Sequence, residues 1–325
     1  MGFEFLKEKW ISKVNTVTIG ATKEDGGTRS STVTVGGECT LPFLFEEGDV
    51  PHAPRIALEV WDAVPKDWPD ILREPFLDVL DKPVEWAKRN VGEYKADLLF
   101  VRLMSAHPEW GNNSAEKIAE TVKEISSGVG VPLIIKGCGD EEKDNLILSK
   151  VSHVLHGERC LIGNATQKNY RTLTASCIAD GHSIIAENPL DINIEKQVNI
   201  LISDMDFPLE RIVIHPTTTA LGYGMEYVYS LIERTRIAGL SGDKLLSMPI
   251  ICFVGQETWR VKEARQKEAD FPAWGKEKIR GPLWEATTAI NFIQAGANVV
   301  VLNYPQSASI VKSYINEMMA YQGKA

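Results

Sequence analysis

The chain has no run of eighteen apolar residues, and its N-terminus, MGFEFLKEKW, lacks an apolar stretch of the kind that directs secretion. A membrane-spanning or exported protein is therefore not expected, and the cytoplasm is the expected compartment. Positive charge is in short supply. Its 35 Lys and Arg stand against 44 Asp and Glu, a net charge of −9. Nucleic-acid and anionic-membrane surfaces need concentrated basic residues, so neither kind of partner is expected. Cysteine is scattered: Cys39, Cys138, Cys160, Cys177 and Cys252 never fall as C-x-x-C, which argues against a self-contained iron–sulfur or zinc site, and their odd number argues against a disulfide framework. H-E-x-x-H, G-x-S-x-G, a strand-following G-x-G-x-x-G and G-x-x-x-x-G-K-[ST] are all missing. Zincin, hydrolase-elbow, dinucleotide and P-loop chemistry thus lose their signatures.

What the chain does have is a repeating pattern. NTVTIG (15–20) and SSTVTVGG (30–37) alternate apolar and polar residues around a turn carrying Gly26-Gly27, which reads as a β-hairpin. From Arg55 onward, short β-branched runs alternate with amphipathic helical stretches. Eight such runs occur, at 56–61, 97–103, 132–137, 159–163, 182–187, 211–215, 249–254 and 298–303. Continuously apolar strands of this length are buried on both faces, as parallel strands covered by helices must be. Eight strand–helix units without a composition break predict an α/β fold, a (β/α)8 TIM barrel over 55–325, with 1–54 as hairpin and lead-in. Helix signals agree: Asn113 with Glu116 reads as a capping box, with Gly128 as the stop. Tyr170, Leu173, Thr174, Cys177 and Ile178 recur at helical spacing, as do Val311, Tyr314, Ile315 and Met318, and both sets read as core faces.

In such barrels the C-terminal strand ends and the loops after them build the site. Those positions hold Glu59, Asp62, Arg102, Lys136, Gly137, Cys138, Gly139, Asp140, Asn164, Ala165, Thr166, Glu187, Asn188, the stretch His215 to Thr219, Glu257, Trp259, Asn303 and Tyr304. The rim is polar but chemically mild. Cys138 at a helix start could be an activated thiol, yet flanking Gly137 and Gly139 fit better with close backbone approach to a ligand, and Asp140 reads as an N-cap. His215 could be a base; a lone strand-end His is more often a hydrogen-bonded structural group. Thr217, Thr218 and Thr219 offer hydroxyls, while Leu221, Gly222, Tyr223 and Gly224 suggest close approach to a bulky polar ligand. The insertion from Gly255 to Pro282 is far longer than an ordinary βα loop; with Trp259, Phe271 and Trp274 it is a candidate partner contact.

Together, GCGDEEKD, GNATQKNY, ENPLDINIEKQVNIL, HPTTTALGYGMEYVYSLIERTRIAGL and ETWRVKEA resemble one family along the whole chain. It is the small subunit of the corrinoid iron–sulfur protein, also the delta subunit of the acetyl-CoA decarbonylase/synthase complex of the reductive acetyl-CoA pathway. The resemblance implies a TIM barrel that forms a heterodimer with a large subunit. The [4Fe–4S] cluster would lie in that partner only, and a corrinoid (cobalamin) would be shared between the two. The pair would take a methyl group from methyltetrahydrofolate through a separate methyltransferase and deliver it to acetyl-CoA synthase, with a reductive activator as a further partner. The barrel itself would cover the upper corrin face and would not be catalytic alone.

The cofactor-binding residues implied are Gly137, Cys138, Gly139, Asn164, Ala165, Thr166, Asn188, His215, Thr217, Thr218, Leu221, Gly222, Tyr223 and Gly224, with no catalytic or metal-ligating residue in this chain. No D-x-H-x-x-G motif offers a lower-face histidine to cobalt, which agrees with the family. His215 stands where the family's strand-end motif leads one to expect Asp. The lack of a long N-terminal extension leans towards the bacterial type of complex. The runner-up is a pterin-binding methyltetrahydrofolate:corrinoid methyltransferase barrel, in which Asn164 or Asn188 would hold a pterin edge; a purely structural scaffold is the third possibility.

Overall fold

The computed structural model describes residues 6–322. The elements run β1 (Val17–Ile19), β2 (Val33–Val35), β3 (Arg55–Trp61), α1 (Asp70–Arg73), α2 (Pro83–Gly92), β4 (Leu98–Arg102), α3 (Ala115–Gly128), β5 (Leu133–Lys136), α4 (Glu141–Val154), β6 (Leu161–Ala165) and α5 (Tyr170–Asp180). They continue β7 (Ser183–Asn188), α6 (Ile192–Ser203), β8 (Ile212–Pro216), α7 (Met225–Leu240), β9 (Ile251–Cys252), α8 (Val254–Thr258), α9 (Lys262–Arg265), α10 (Glu277–Ala295), β10 (Val299–Leu302) and α11 (Pro305–Met319). Strands β3 to β10 are all parallel, in the order β8-β7-β6-β5-β4-β3-β10-β9. The Ile214–Ile250 bridge and the 2.8 Å bond from Ile214 N–H to Pro249 O join the two ends. The result is the (β/α)8 barrel that the alternation implies. No helix among the described residues is long and apolar enough to cross a membrane.

Period-two alternation sorts each strand into an inner and an outer face. Ala57, Phe100, Ile134, Leu161, Ile185, Val213, Ile251 and Val301 fill the barrel interior. Leu58, Leu99, Ile135, Ile162, Ile184 and Ile214 face outward and pack with the helices in one continuous core. Because both faces are covered, the strands read as unbroken apolar runs.

The hairpin does more than precede the barrel. Val17, Ile19, Val33 and Val35 belong to the same apolar cluster as the barrel interior. Gly20 N–H donates to Arg159 O and Ser30 N–H to Gly130 O, both at 2.8 Å, and these acceptors lie just before β6 and β5. The hairpin therefore plugs the N-terminal end of the barrel. Buried Arg29 pins it there, donating to Glu158 Oε2 at 2.8 Å, Val129 O at 2.9 Å and Ser126 O at 2.8 Å. Beside it, buried Arg236 bonds Gly296 O and Met248 O, and Asn298 bridges to Glu38 of the lead-in at 2.9 Å. The mouth at the opposite end is left to carry the site.

Several local expectations need correction. The N-cap of α3 is Ser114, whose Oγ accepts from Lys117 N–H, while Asn113 only receives the Lys117 ammonium. The cap is one residue later, without the reciprocal Glu of a capping box because Lys117 stands three residues on, and Ser114 has the extended φ of −70° and ψ of 158° that a cap requires. Ile178 is exposed, since α5 buries only Leu173, Thr174 and Cys177 with Asp180. The seventh barrel strand stops at Cys252, because Val254 already starts α8, and Pro282 lies inside α10 rather than before it. The expected loop is thus largely short helices.

Candidate functional site

Carrying the inner-face alternation two residues past the apolar layer brings Glu59, Arg102, Lys136, Glu187 and His215 to the barrel mouth. Two pairs form among them, Arg102 with Glu59 and His215 with Glu187. Arg102 Nη1 lies 3.7 Å from Glu59 Oε1, which also accepts from Trp61 Nε1 at 2.8 Å, and the guanidinium stacks 5.0 Å over the Trp61 ring. Lys136 Nζ donates to Gln256 Oε1 at 3.2 Å and sits 4.4 Å over the Phe253 ring. Enclosure there, with Arg102 nearby, pushes its ammonium down to about 8.

His215 is buried and stacked on Phe253 at 3.8 Å. Its Nδ1 lies 3.0 Å from Ile251 O; a carbonyl only accepts, so Nδ1 carries the hydrogen and Nε2 turns a bare lone pair towards Glu187 at 3.9 Å. Burial drives its pKa down to about 4, so the ring is neutral at physiological pH. Of the two sequence readings, the geometry is that of the hydrogen-bonded structural group. Asn164 donates to Glu187 Oε2 at 2.8 Å and completes a row across β6, β7 and β8.

The other sequence-derived positions divide into those at the mouth and those turned from it. A Cβ on Gly137 would fall 2.2 Å from the Asp144 carboxylate, which accepts from Cys138 N–H at 2.8 Å and Gly139 N–H at 2.9 Å. The close approach that requires glycine is to the protein's own Asp144. Burial pushes the Cys138 thiol up to about 11, which rules out the thiolate, and Asp140 caps α4 through Lys143 N–H as expected. Ala165 is buried on the outer face, and Thr166 is closed into a turn by Asn169. Asn188 also points outward, where it donates to buried Glu195 of α6 at 3.0 Å.

Thr218 is consumed in joining strands, its Oγ1 accepting from Phe253 N–H at 3.1 Å. Thr217 is exposed, with its Oγ1 donating to Asn188 O. Leu221 is held by α10: Thr288 Oγ1 accepts from its N–H, and its carbonyl accepts from Trp284 Nε1. Gly222 and Gly224 adopt φ of 79° and 97°, so glycine is needed there for handedness, since a Cβ would meet nothing nearer than 3.5 Å. Tyr223 is half exposed and donates to Glu263 of α9 at 2.8 Å.

A cavity of about 400 Å³ opens on the other half of the mouth, over β3, β4, β9 and β10. Of the proposed ligand-binding residues only Cys138 lines it. Its walls are Trp61, Trp68, Trp110 and Trp259, with Arg102 and Asn303 from the strand ends. Sequence reasoning placed Arg102, Trp259 and Asn303 on the rim but passed over Trp68 and Trp110. The available signal was that three tryptophans fall in or just after the first two barrel strands. In the long insertion, Trp259 is buried against Tyr304, whereas Phe271 and Trp274 form an outer stack at 4.3 Å beneath Lys262. Among the described residues no three His, Cys, Asp or Glu side chains cluster as a metal site.

Residues 16–312 match the family model described as the CO dehydrogenase/acetyl-CoA synthase delta subunit. The chain belongs to this family. It is similar to the acetyl-CoA decarbonylase/synthase complex subunit delta of Archaeoglobus fulgidus, at 35% identity over 97% of this chain and 71% of that one. It is likewise similar to subunit delta 1 of Methanosarcina thermophila, at 34% over 94% and 70%, and to subunit delta of Methanopyrus kandleri, at 35% over 93% and 74%. Among solved structures, a dihydropteroate synthase from Coxiella burnetii in complex with pteroic acid superimposes with a TM-score of 0.55, at 10% identity, covering 86% of this chain and all of that one. Dihydropteroate synthase from Xanthomonas albilineans gives 0.54 at 12% identity, over 83% and 93%. At these identities the delta-family chain shares their barrel fold, and no more is carried across.

Proposed function

We propose that this chain is the small subunit of a heterodimeric corrinoid iron–sulfur methyl carrier, and that its strand-end mouth covers the upper face of the corrinoid. In this reading the large subunit holds the [4Fe–4S] cluster, and the pair moves a methyl group from the methyltetrahydrofolate methyltransferase to acetyl-CoA synthase. Membership of the delta-subunit family supports the assembly. One observation on the site supports the fit: along the β6–β8 half of the mouth, Asn164 Oδ1 and Thr219 Oγ1 are buried without a hydrogen-bond partner among the described residues, and Thr219 is flanked in sequence by exposed Thr217, Gly222 and Tyr223. A corrin rim bristles with amide groups, and such atoms are suited to receive them.

When bound, the corrinoid's cobalt supplies the methyl-carrying chemistry. The chain's own residues do what a cover needs. Asn164 and Thr219 would hydrogen-bond the ring's amides, and Thr217 and Tyr223 would extend that contact at the edge. Phe253 and neutral His215 form an apolar floor that excludes water. With Nδ1–H committed to Ile251 O and a pKa near 4, His215 neither donates nor takes a proton at the mouth near neutral pH.

The test is anaerobic co-expression with the large subunit, followed by size exclusion with corrinoid absorbance recorded. A one-to-one complex that retains corrinoid, and loses it or shifts its spectrum when Thr217 and Tyr223 are replaced by Ala, supports the reading. If the chain alone binds methyltetrahydrofolate at micromolar concentration and does not pair with the large subunit, the methyltransferase reading replaces it. Complex formation that is indifferent to both substitutions leaves a structural scaffold.

A further inference from the structure

We infer that the tryptophan-walled cavity on the β3–β4 half of the mouth is a second binding site, for a planar carboxylate. Apart from Cys138 it uses other residues than those expected at the corrinoid, and it stands or falls apart from that reading.

The argument begins with Arg102. Its side chain is 10% exposed, and a guanidinium carries five N–H donors. Among the described residues no atom accepts a hydrogen bond from it: Glu59 is an ion-pair neighbour at 3.7 Å, beyond hydrogen-bond length, and the Trp61 ring offers only its face. Its Nε is also buried. Buried donors of a charged group are costly when unmet, and the structure offers this one no internal partner. The fork lines the cavity, so an acceptor with two coplanar oxygens can meet it there from the open side.

The walls specify the rest of the ligand. Trp61 meets Trp68 at 5.6 Å and Trp110 at 5.3 Å, both edge-on, and Trp259 also lines the cavity. Four of the chain's eight tryptophans thus enclose about 400 Å³. Flat aromatic walls favour a flat body between them. At the rim, exposed Arg265 adds positive charge while exposed Arg260 is paired with Glu257 at 3.0 Å; Asp67 and Glu109 also line it and favour a single carboxylate over a highly charged phosphate.

The experiment is calorimetric titration of the full chain with 2-naphthoate, alongside 2-naphthamide and cyclohexanecarboxylate. Binding of 2-naphthoate is expected at least tenfold tighter than either control. Arg102→Gln should weaken it by about 10- to 100-fold, the range for a charge-assisted bidentate contact. Should that variant fail to fold, the exposed pair R260Q/R265Q serves instead, with about a two- to fivefold loss at low salt. Absence of heat up to several millimolar 2-naphthoate overturns the proposal, as does equal binding of the amide. So does unchanged affinity in whichever variant proves folded.

Discussion

Replacing Glu195 by Gln should stabilise the protein in alkaline buffer and do almost nothing in acid. Glu195 lies on α6, 2% exposed, where Thr235 Oγ1 donates to one oxygen at 2.7 Å and Asn188 Nδ2 to the other at 3.0 Å. Burial outweighs these bonds and raises its pKa from 4.5 to about 7. A carboxyl that holds its proton in the folded state while the unfolded chain releases it opposes folding as pH rises. The penalty is absent below pH 4.5, grows between 4.5 and 7 and is complete above 7. At roughly 1.4 kcal/mol per unit, the full effect is about 3 kcal/mol. Gln mimics the protonated acid. Asn188 Oδ1 is buried and unpartnered, so a flipped Asn188 amide can accept from the new Gln Nε2. Urea unfolding of wild type and E195Q from pH 5 to 9 measures the difference: coincident midpoints near pH 5 should separate by about 3 kcal/mol above pH 7.5. Parallel curves across that range would refute the reasoning. Glu285 is the internal control. Its pKa is also raised to about 7, but its two oxygens accept from the backbone N–H groups of Asn303 and Tyr304. A Gln there turns a donor towards a donor, so E285Q should destabilise at every pH.

Ile19→Ala should cost about 2–5 kcal/mol in urea unfolding, since Ile19 is wholly buried at the barrel's closed end. A loss below 1 kcal/mol would show that the hairpin does not act as a plug. Gly137→Ala should destabilise by about 1–3 kcal/mol or more, because its Cβ would fall 2.2 Å from the Asp144 carboxylate; a neutral midpoint would contradict the geometry. His215 should show no titration above pH 5 in nitrogen-edited NMR and should keep its proton on Nδ1. Its depressed pKa favours the folded state above the ordinary histidine value of 6.5, an advantage lost as pH falls towards 4. A midpoint near 6.5 would show the ring to be solvated.

The barrel was legible because its signal is repetitive: eight short apolar runs, each followed by a helical period, leave few alternatives once both strand faces must be covered. Residue roles were less legible. Gly137, Gly222 and Gly224 each looked like an invitation to a ligand, yet the first makes room for Asp144 and the other two supply positive φ. Glycine reports a backbone need and not what causes it. Asn188 and Ala165 sat at strand ends, but period-two alternation points them outward, and the one-residue difference between Glu187 and Asn188 decides which of them sees the mouth. The tryptophan cavity was only partly legible: Trp61, Trp68 and Trp110 cluster near the first two strands, but Trp259 and Asn303 join them only through closure of the barrel, which leaves no local pattern.

That closure also explains how one mouth can hold two unlike surfaces. Glu59, Arg102, Lys136 and Glu187 are two acids and two bases, so with Lys136 charged below about pH 8 and His215 neutral the inner layer sums to zero. The layer is polar without a net field. A neutral, amide-fringed ring resting on the β6–β8 half would meet hydrogen-bonding groups and no uncompensated charge. On the β3–β4 half, Arg102 is set 3.7 Å from Glu59, too far for that acid to accept its hydrogen bonds, and it leaves a directional demand for an acceptor inside an otherwise balanced mouth. Away from the cavity, His215 stacks on the Phe253 ring from β8, and Lys136 lies over the same ring from β5. Arg102→Gln should therefore affect only carboxylate binding and Thr217→Ala only the corrinoid face.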